Sequence, residues 1–308
     1  MALGRFKRMA LKALSAHSYD LKKNYKLHRK VILASHPYIK PLYNLLDRKI
    51  MVGDREIPVR IFKPKEAKEF KVLLFFHGGG WVTGNIDSYS HICANMANQT
   101  GQIVVSVDYR LAPEYPFPAG LEDCYFAAKT IFLDNTLFKS KPEEITLIGD
   151  SAGGNLAAVV SLMARDTGEF MPSRQILIYP ATYYDHSDKS PFPSVRENGT
   201  DYVMTSKRIQ DYMDLYTKHR KDRKNPYVAP LLAEDLSNQP KTLIITAEYD
   251  PLRDEGEAYG MRLREHGNTV IITRMLDALH GFLSLPIRTN LVEHCYEIMN
   301  QFLKDERS

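Results

Sequence analysis

Cysteine is scarce in this 308-residue chain: Cys93, Cys124 and Cys295 are the only three, far apart and with no CxxC pair. An odd count at such spacing excludes a disulfide framework and fits reduced core thiols of a cytoplasmic protein. No apolar run reaches the length that crosses a bilayer. Internal repeats and low-complexity tracts are absent too, which excludes solenoids and disordered arrays. The N-terminus lacks the uninterrupted apolar stretch of a secretory signal, because Arg5, Lys7, Arg8 and Lys12 break it up. Nothing resembles an RNA- or DNA-binding motif, so nucleic acid is not an expected partner. What remains is a chain 44% hydrophobic and 25% charged, an ordinary balance for a globular protein able to bury a large core.

The charge is unevenly placed. Residues 1–50 carry twelve Lys/Arg against two acids, and the remainder carries 29 basic against 35 acidic residues. The net +4 therefore belongs to the N-terminal segment. Residues 1–48 read as helices, with Leu3, Phe6, Met9, Ala10, Ala13 and Leu14 at helical spacing and basic residues opposite. Such a helix suits a membrane surface or a transit peptide, but covering the protein's own core is the preferred reading.

From Lys49 the pattern turns to strands. Residues 50–52 and 57–62 read as an antiparallel hairpin about Gly53-Asp54, with Pro58 suggesting an exposed edge. A continuous apolar run at 72–76 and strand-like stretches at 103–107, 145–148, 175–179, 242–247 and 270–274 alternate with helical stretches. That alternation predicts an α/β fold, a mostly parallel sheet with helices on both faces. Residues 181–228 interrupt it, as a surface insertion would. The expected organisation is a helical cap segment at 1–48 and a catalytic domain at 49–308 carrying a cap insertion at about 181–228.

The run at 145–148 breaks into Gly149-Asp150-Ser151-Ala152-Gly153, and a small-residue helix follows. A G-x-S-x-G pentapeptide between strand and helix is a nucleophile elbow. A serine hydroxyl needs a base and an orienting acid, in this fold in the order Ser, acid, His. Catalytic groups collect beyond the carboxyl ends of parallel strands. Asp250, after the strand at 242–247, and His280, after that at 270–274, fit. Glu248 is the nearer rival to Asp250. Asp277 falls after the last expected strand, and His266 and His294 sit in helical patterns. His77-Gly78-Gly79-Gly80 follows the strand at 72–76 and can bring backbone N–H groups to a developing oxyanion.

These stretches, with Trp81, Asp108 to Glu114, Gly154, Pro251 to Glu255 and Gly281-Phe282, occur in one order over residues 72–282. In that order they resemble the hormone-sensitive-lipase-like family of α/β-hydrolases, which includes bacterial carboxylesterases and arylacetamide deacetylase. The resemblance implies an α/β-hydrolase fold and a triad of Ser151, Asp250 and His280. It implies an oxyanion hole at the N–H groups of Gly79, Gly80 and Ala152, and a cap from the N-terminal helices and the insertion. The expected activity is hydrolysis of small carboxylic esters of short to medium acyl chain, with no metal or organic cofactor. Amide or N-acetyl deacetylation by the same mechanism stays open. A non-catalytic ligand-binding role, as in the similar plant gibberellin receptors, is disfavoured because His280 is present. A homodimer is compatible with the sequence.

Overall fold

A computed structural model describes residues 20–35, 44–65, 71–134, 136, 138–285 and 289–305. In chain order these form helix α1 (Leu21–Ser35), strands β1 (Leu45–Val52), β2 (Arg55–Phe62) and β3 (Val72–Phe76), helix α2 (Ser90–Thr100), strand β4 (Ile103–Val107) and helix α3 (Ala119–Leu133). Strand β5 (Ile145–Asp150), helix α4 (Ala152–Thr167), strand β6 (Arg174–Ile178) and helices α5 (Pro193–Asn198) and α6 (Ser206–Tyr216) follow. The chain closes with strand β7 (Lys241–Tyr249), helix α7 (Arg253–Glu265), strand β8 (Val270–Leu279) and helix α8 (Asn290–Lys304).

The eight strands form one sheet in the order β1-β2-β4-β3-β5-β6-β7-β8. Pairing is antiparallel from β1 through β2 to β4 and parallel from β4 to β8. Period-two alternation splits each central strand between two cores. Val72, Leu74 and Phe76 of β3 face one, with Leu121 and Cys124 of α3, Leu156 of α4 and Leu263 of α7. Leu73 and Phe75 face the other, with Cys93 and Met96 of α2 and Cys295 and Met299 of α8. A strand buried on both faces is mostly apolar, which is why the middle strands stood out as apolar-rich stretches in the sequence, with only small or hydrogen-bonding groups such as Ser106, Thr146 and Gln175 between. All three thiols are buried and free. Among the described residues no helix is long and apolar enough to cross a membrane.

Three details differ from expectation. Strand β1 begins at Leu45, where an Asp-Arg pair obscures the apolar pattern, and so the sheet reaches into the segment assigned to helices. Pro58 does not mark the sheet edge: β2 is interior and β1 is the edge. Proline is tolerated because β2 pairs with β4 only from Val59 onward, and Pro58 serves as acceptor for the Asp108 N–H. Strand β8 runs on to Leu279, carrying Asp277 within it at φ 58°. The apolar-faced pattern at Leu3 to Leu14 lies outside the described residues.

The β6–β7 connection contains α5 and α6, and α1 packs against α6. Lys22 of α1 ion-pairs with Asp214 and, at 3.5 Å, with Asp211.

Candidate active site

The carboxyl ends of β3, β5, β7 and β8 point the same way, and the sequence-derived candidates meet there. Ser151 follows β5 at φ 55° and ψ −118°, a strained conformation for a residue with a side chain and one that costs on the order of 1–3 kcal/mol. The turn holds because its glycines let three backbones pack together. A Cβ at Gly153 would lie 1.9 Å from the Phe76 carbonyl oxygen of β3, and one at Gly149 would lie 2.2 Å from the Gly153 oxygen. The Ser151 N–H is tied to the Ile178 carbonyl at 2.8 Å. The side chain therefore stands over the sheet at the start of α4.

His280 reaches it from the end of β8, with Nε2 2.9 Å from Ser151 Oγ. The other ring nitrogen, Nδ1, is 2.6 Å from Asp250 Oδ2. A carboxylate only accepts, so Nδ1 carries the hydrogen and Nε2 offers its lone pair to the serine hydroxyl. Asp250 is fully buried and its other oxygen accepts the Leu252 N–H at 2.8 Å. Burial alone would depress the His280 pKa; the charge and hydrogen bond of Asp250, with Asp150 behind, outweigh burial and raise it. Glu248 points elsewhere: its carboxylate accepts the Asp277 N–H at 2.7 Å, bracing the kink of β8 that precedes His280. His266 lies against Asp235 and the Leu236 N–H, and His294 is exposed beside Glu297. Neither comes near the serine.

Gly79, Gly80 and Ala152 line the same cavity as Ser151 and His280. Ala152 opens α4, where an N–H has no partner within the helix. Among the described residues, the Gly79 and Gly80 N–H groups have no protein acceptor either. That of Gly78 is taken, at 2.7 Å, by Asp150 Oδ1. Asp150 is buried, accepts the Tyr89 hydroxyl at 3.1 Å, and has its pKa pushed up to about 6 by burial. It thereby ties the glycine loop after β3 to the elbow after β5, a role the sequence signals only as an acid closing an apolar strand. His77 is buried, held neutral by a pKa pushed down to about 4, and stacked on Tyr109 at 4.3 Å. The Tyr109 hydroxyl donates to the His77 carbonyl at 2.7 Å, so the Asp108–Glu114 stretch supports the glycine loop from below.

The cavity, about 130 Å³, is also walled by Trp81, Tyr89, Tyr179 and Leu252, and by Met204, Ile209 and Tyr212 from the β6–β7 connection. Tyr212 lies so close over Gly80 that a Cβ there would fall 2.3 Å from its ring.

A family model of the alpha/beta hydrolase fold matches residues 73–284, the stretch that carries every one of these groups. The chain belongs to the α/β-hydrolases, in the hormone-sensitive-lipase-like family. This hydrolase is 38% identical over 247 residues to an arylesterase of Saccharolobus solfataricus, covering 80% of this chain and 79% of the relative. It is 36% identical over 266 residues to the carboxylic ester hydrolase LipN of Mycobacterium tuberculosis, covering 84% and 69%. A solved hyperthermophilic esterase from the archaeon Pyrobaculum calidifontis superposes on the hydrolase with a TM-score of 0.84 at 34% identity, over 99% of this chain and 98% of that one.

Proposed function

We propose that the protein is a serine carboxylesterase whose nucleophile is Ser151, base His280 and orienting acid Asp250. The observation that carries this is the continuous hydrogen-bonded line from Ser151 Oγ through the His280 ring to Asp250, opening on a cavity with unpartnered backbone donors. His280 Nε2 takes the hydroxyl proton as Oγ bonds to the ester carbonyl carbon, and Asp250 stabilises the resulting imidazolium. The carbonyl oxygen, now negative, is received by the N–H groups of Gly79, Gly80 and Ala152. Collapse breaks the bond to the alcohol, which leaves with the proton from His280. Water then repeats the sequence on the acyl-serine and releases the acid.

Size narrows the substrate. A cavity near 150 Å³ holds a benzene-sized guest, so about 130 Å³ suits a short acyl chain or an aryl ring rather than a long fatty tail. Helix α1 and residues 181–228 together serve as the cap, with Met204, Ile209 and Tyr212 closing the acyl end. Three buried thiols with no disulfide fit a reducing compartment, and we place the enzyme in the cytoplasm.

Hydrolysis of a p-nitrophenyl ester series beside matched N-acetyl arenes tests the reading. Turnover should concentrate on acyl chains of about two to six carbons, with esters preferred to amides. Ser151→Ala should remove activity by a factor on the order of 10⁶. A serine variant with substantial turnover would end the assignment of the nucleophile, and faster cleavage of the amides would make the enzyme a deacetylase.

A further inference from the structure

Helix α1 contributes no residue to the cavity wall, yet one of its side chains reaches the backbone that carries the oxyanion donors. Arg29 Nε donates to the Val82 carbonyl at 2.6 Å, and Nη2 donates to the Ala112 carbonyl at 2.8 Å. The same guanidinium grips Glu114 through Nη1 at 3.0 Å and Nη2 at 2.9 Å, while the Tyr25 hydroxyl donates to Glu114 at 3.2 Å. The Tyr25 ring lies 5.0 Å from the Arg29 carbon.

The two carbonyls belong to different segments. Val82 closes the turn that begins at Gly79, with the Val82 and Thr83 N–H groups both donating back to the Gly79 carbonyl at 3.2 and 2.9 Å. Ala112 lies in the stretch after β4, and its N–H donates to the Trp81 carbonyl at 2.9 Å. A planar fork of five N–H donors can hold two carbonyls and a carboxylate in fixed directions at once, which a flexible ammonium cannot. Gly79 and Gly80 sit at φ 116° and φ 62°, where a glycine backbone is free to swing in either direction. Asp150 and Tyr109 anchor the residues before this turn, and the Arg29 contacts hold its far end, so that both ends limit the directions the two N–H groups can take.

We infer that Arg29 is a positioning residue, which holds the Gly79–Thr83 turn so that its N–H groups are aimed before substrate arrives. The inference rests on the serine-hydrolase reading. It gives α1 a part in the chemical step as well as in the cap: the helix sets the orientation of the oxyanion donors through a single side chain. Aim matters more to the transition state than to the ester, because the full negative charge exists only after attack.

The test compares Arg29→Ala and Arg29→Lys with Lys22→Ala, which removes the ion pairs of α1 with Asp211 and Asp214 but none of the Arg29 contacts to Val82, Ala112 and Glu114. Rates are normalised to the end-point stoichiometry of Ser151 phosphonylation, so that misfolded enzyme is not counted. Arg29→Ala should lower kcat on p-nitrophenyl acetate by about 10- to 100-fold with KM little changed. Affinity for a trifluoromethyl ketone, which forms the tetrahedral oxyanion on Ser151, should weaken by a similar factor. Arg29→Lys, which keeps charge but not the fork, should fall between, and it remains informative if the alanine variant does not fold. Lys22→Ala should keep kcat. The inference is overturned if kcat per titrated site is unchanged in both Arg29 variants, if only KM rises, or if Lys22→Ala loses as much as Arg29→Ala. Ser151→Ala run alongside separates the failures: an active serine variant sinks the hydrolase reading, whereas an inactive one beside a normal Arg29→Ala sinks only the brace.

Discussion

Asp250→Asn makes a severe test of the proposed acid, because the structure specifies what the amide would do. Asp250 Oδ1 already accepts the Leu252 N–H at 2.8 Å, and Oδ2 lies 2.6 Å from His280 Nδ1. In the asparagine variant the carbonyl oxygen keeps the Leu252 partner, so the NH₂ group occupies the Oδ2 position. It can only donate, and the imidazole must then present a lone pair at Nδ1 and move its hydrogen to Nε2. That hydrogen points at Ser151, which can no longer give up its own proton. Loss of the correct tautomer, added to loss of the charge that stabilises the imidazolium, should cost about 10⁴ in kcat, or roughly 5 kcal/mol of barrier. Glu248→Gln retains a carbonyl oxygen for the Asp277 N–H and should change kcat by no more than about three-fold, as for a neutral-for-charged acceptor swap. Initial rates on p-nitrophenyl acetate, with both variants checked for folding by circular dichroism, decide between them. Near-normal turnover in Asp250→Asn, or a larger loss in Glu248→Gln, would refute the assignment.

Other outcomes are equally specific. In the proposed role of base His280 must be neutral, and its pKa is raised, so kcat/KM should fall as pH drops through a value above the ordinary 6.5. Asp150→Asn removes one of the charges that raise it and should move that acid limb to lower pH, read from kcat/KM profiles of the two enzymes. Gly80→Ala should destabilise the fold by about 1–3 kcal/mol and depress kcat, because its Cβ meets the Tyr212 ring and φ is 62°. In a Tyr212→Ala background part of that cost should vanish, and strict additivity in a denaturation double-mutant cycle would contradict the contact. Tyr212→Ala alone should shift the preferred ester toward longer acyl chains, measured on the p-nitrophenyl series.

Much of this was legible in the sequence because the relevant signals are local. Strands buried on both faces are rich in apolar residues, so β3 to β7 stand out. The elbow's glycines and the run His77 to Gly80 are needed within a few residues of where they act. Asp250 and His280 could be found because a parallel sheet delivers catalytic groups at strand ends. Illegible were the groups whose meaning comes from another part of the chain. Asp150 gains its role only when β3 lies beside β5, Tyr212 only when α6 folds over Gly80, and Arg29 only when α1 docks 53 positions from Val82. The kink that carries Asp277 inside β8 escaped for a related reason. Its brace is Glu248, on the neighbouring strand, and no periodicity within residues 270–279 reports it.

The close seat of Tyr212 on Gly80 has a consequence for how such an enzyme can change its diet. Ser151, His280 and Asp250 hang from the sheet, while Met204, Ile209 and Tyr212 arrive on a separate excursion of the chain. That layout invites exchange of the excursion to obtain new substrates without disturbing the chemistry. Tyr212 limits the freedom, because its ring both walls the cavity and rests on Gly80, one of the proposed oxyanion donors. A grafted excursion must therefore bring something flat to that spot, or the graft will alter turnover as well as taste.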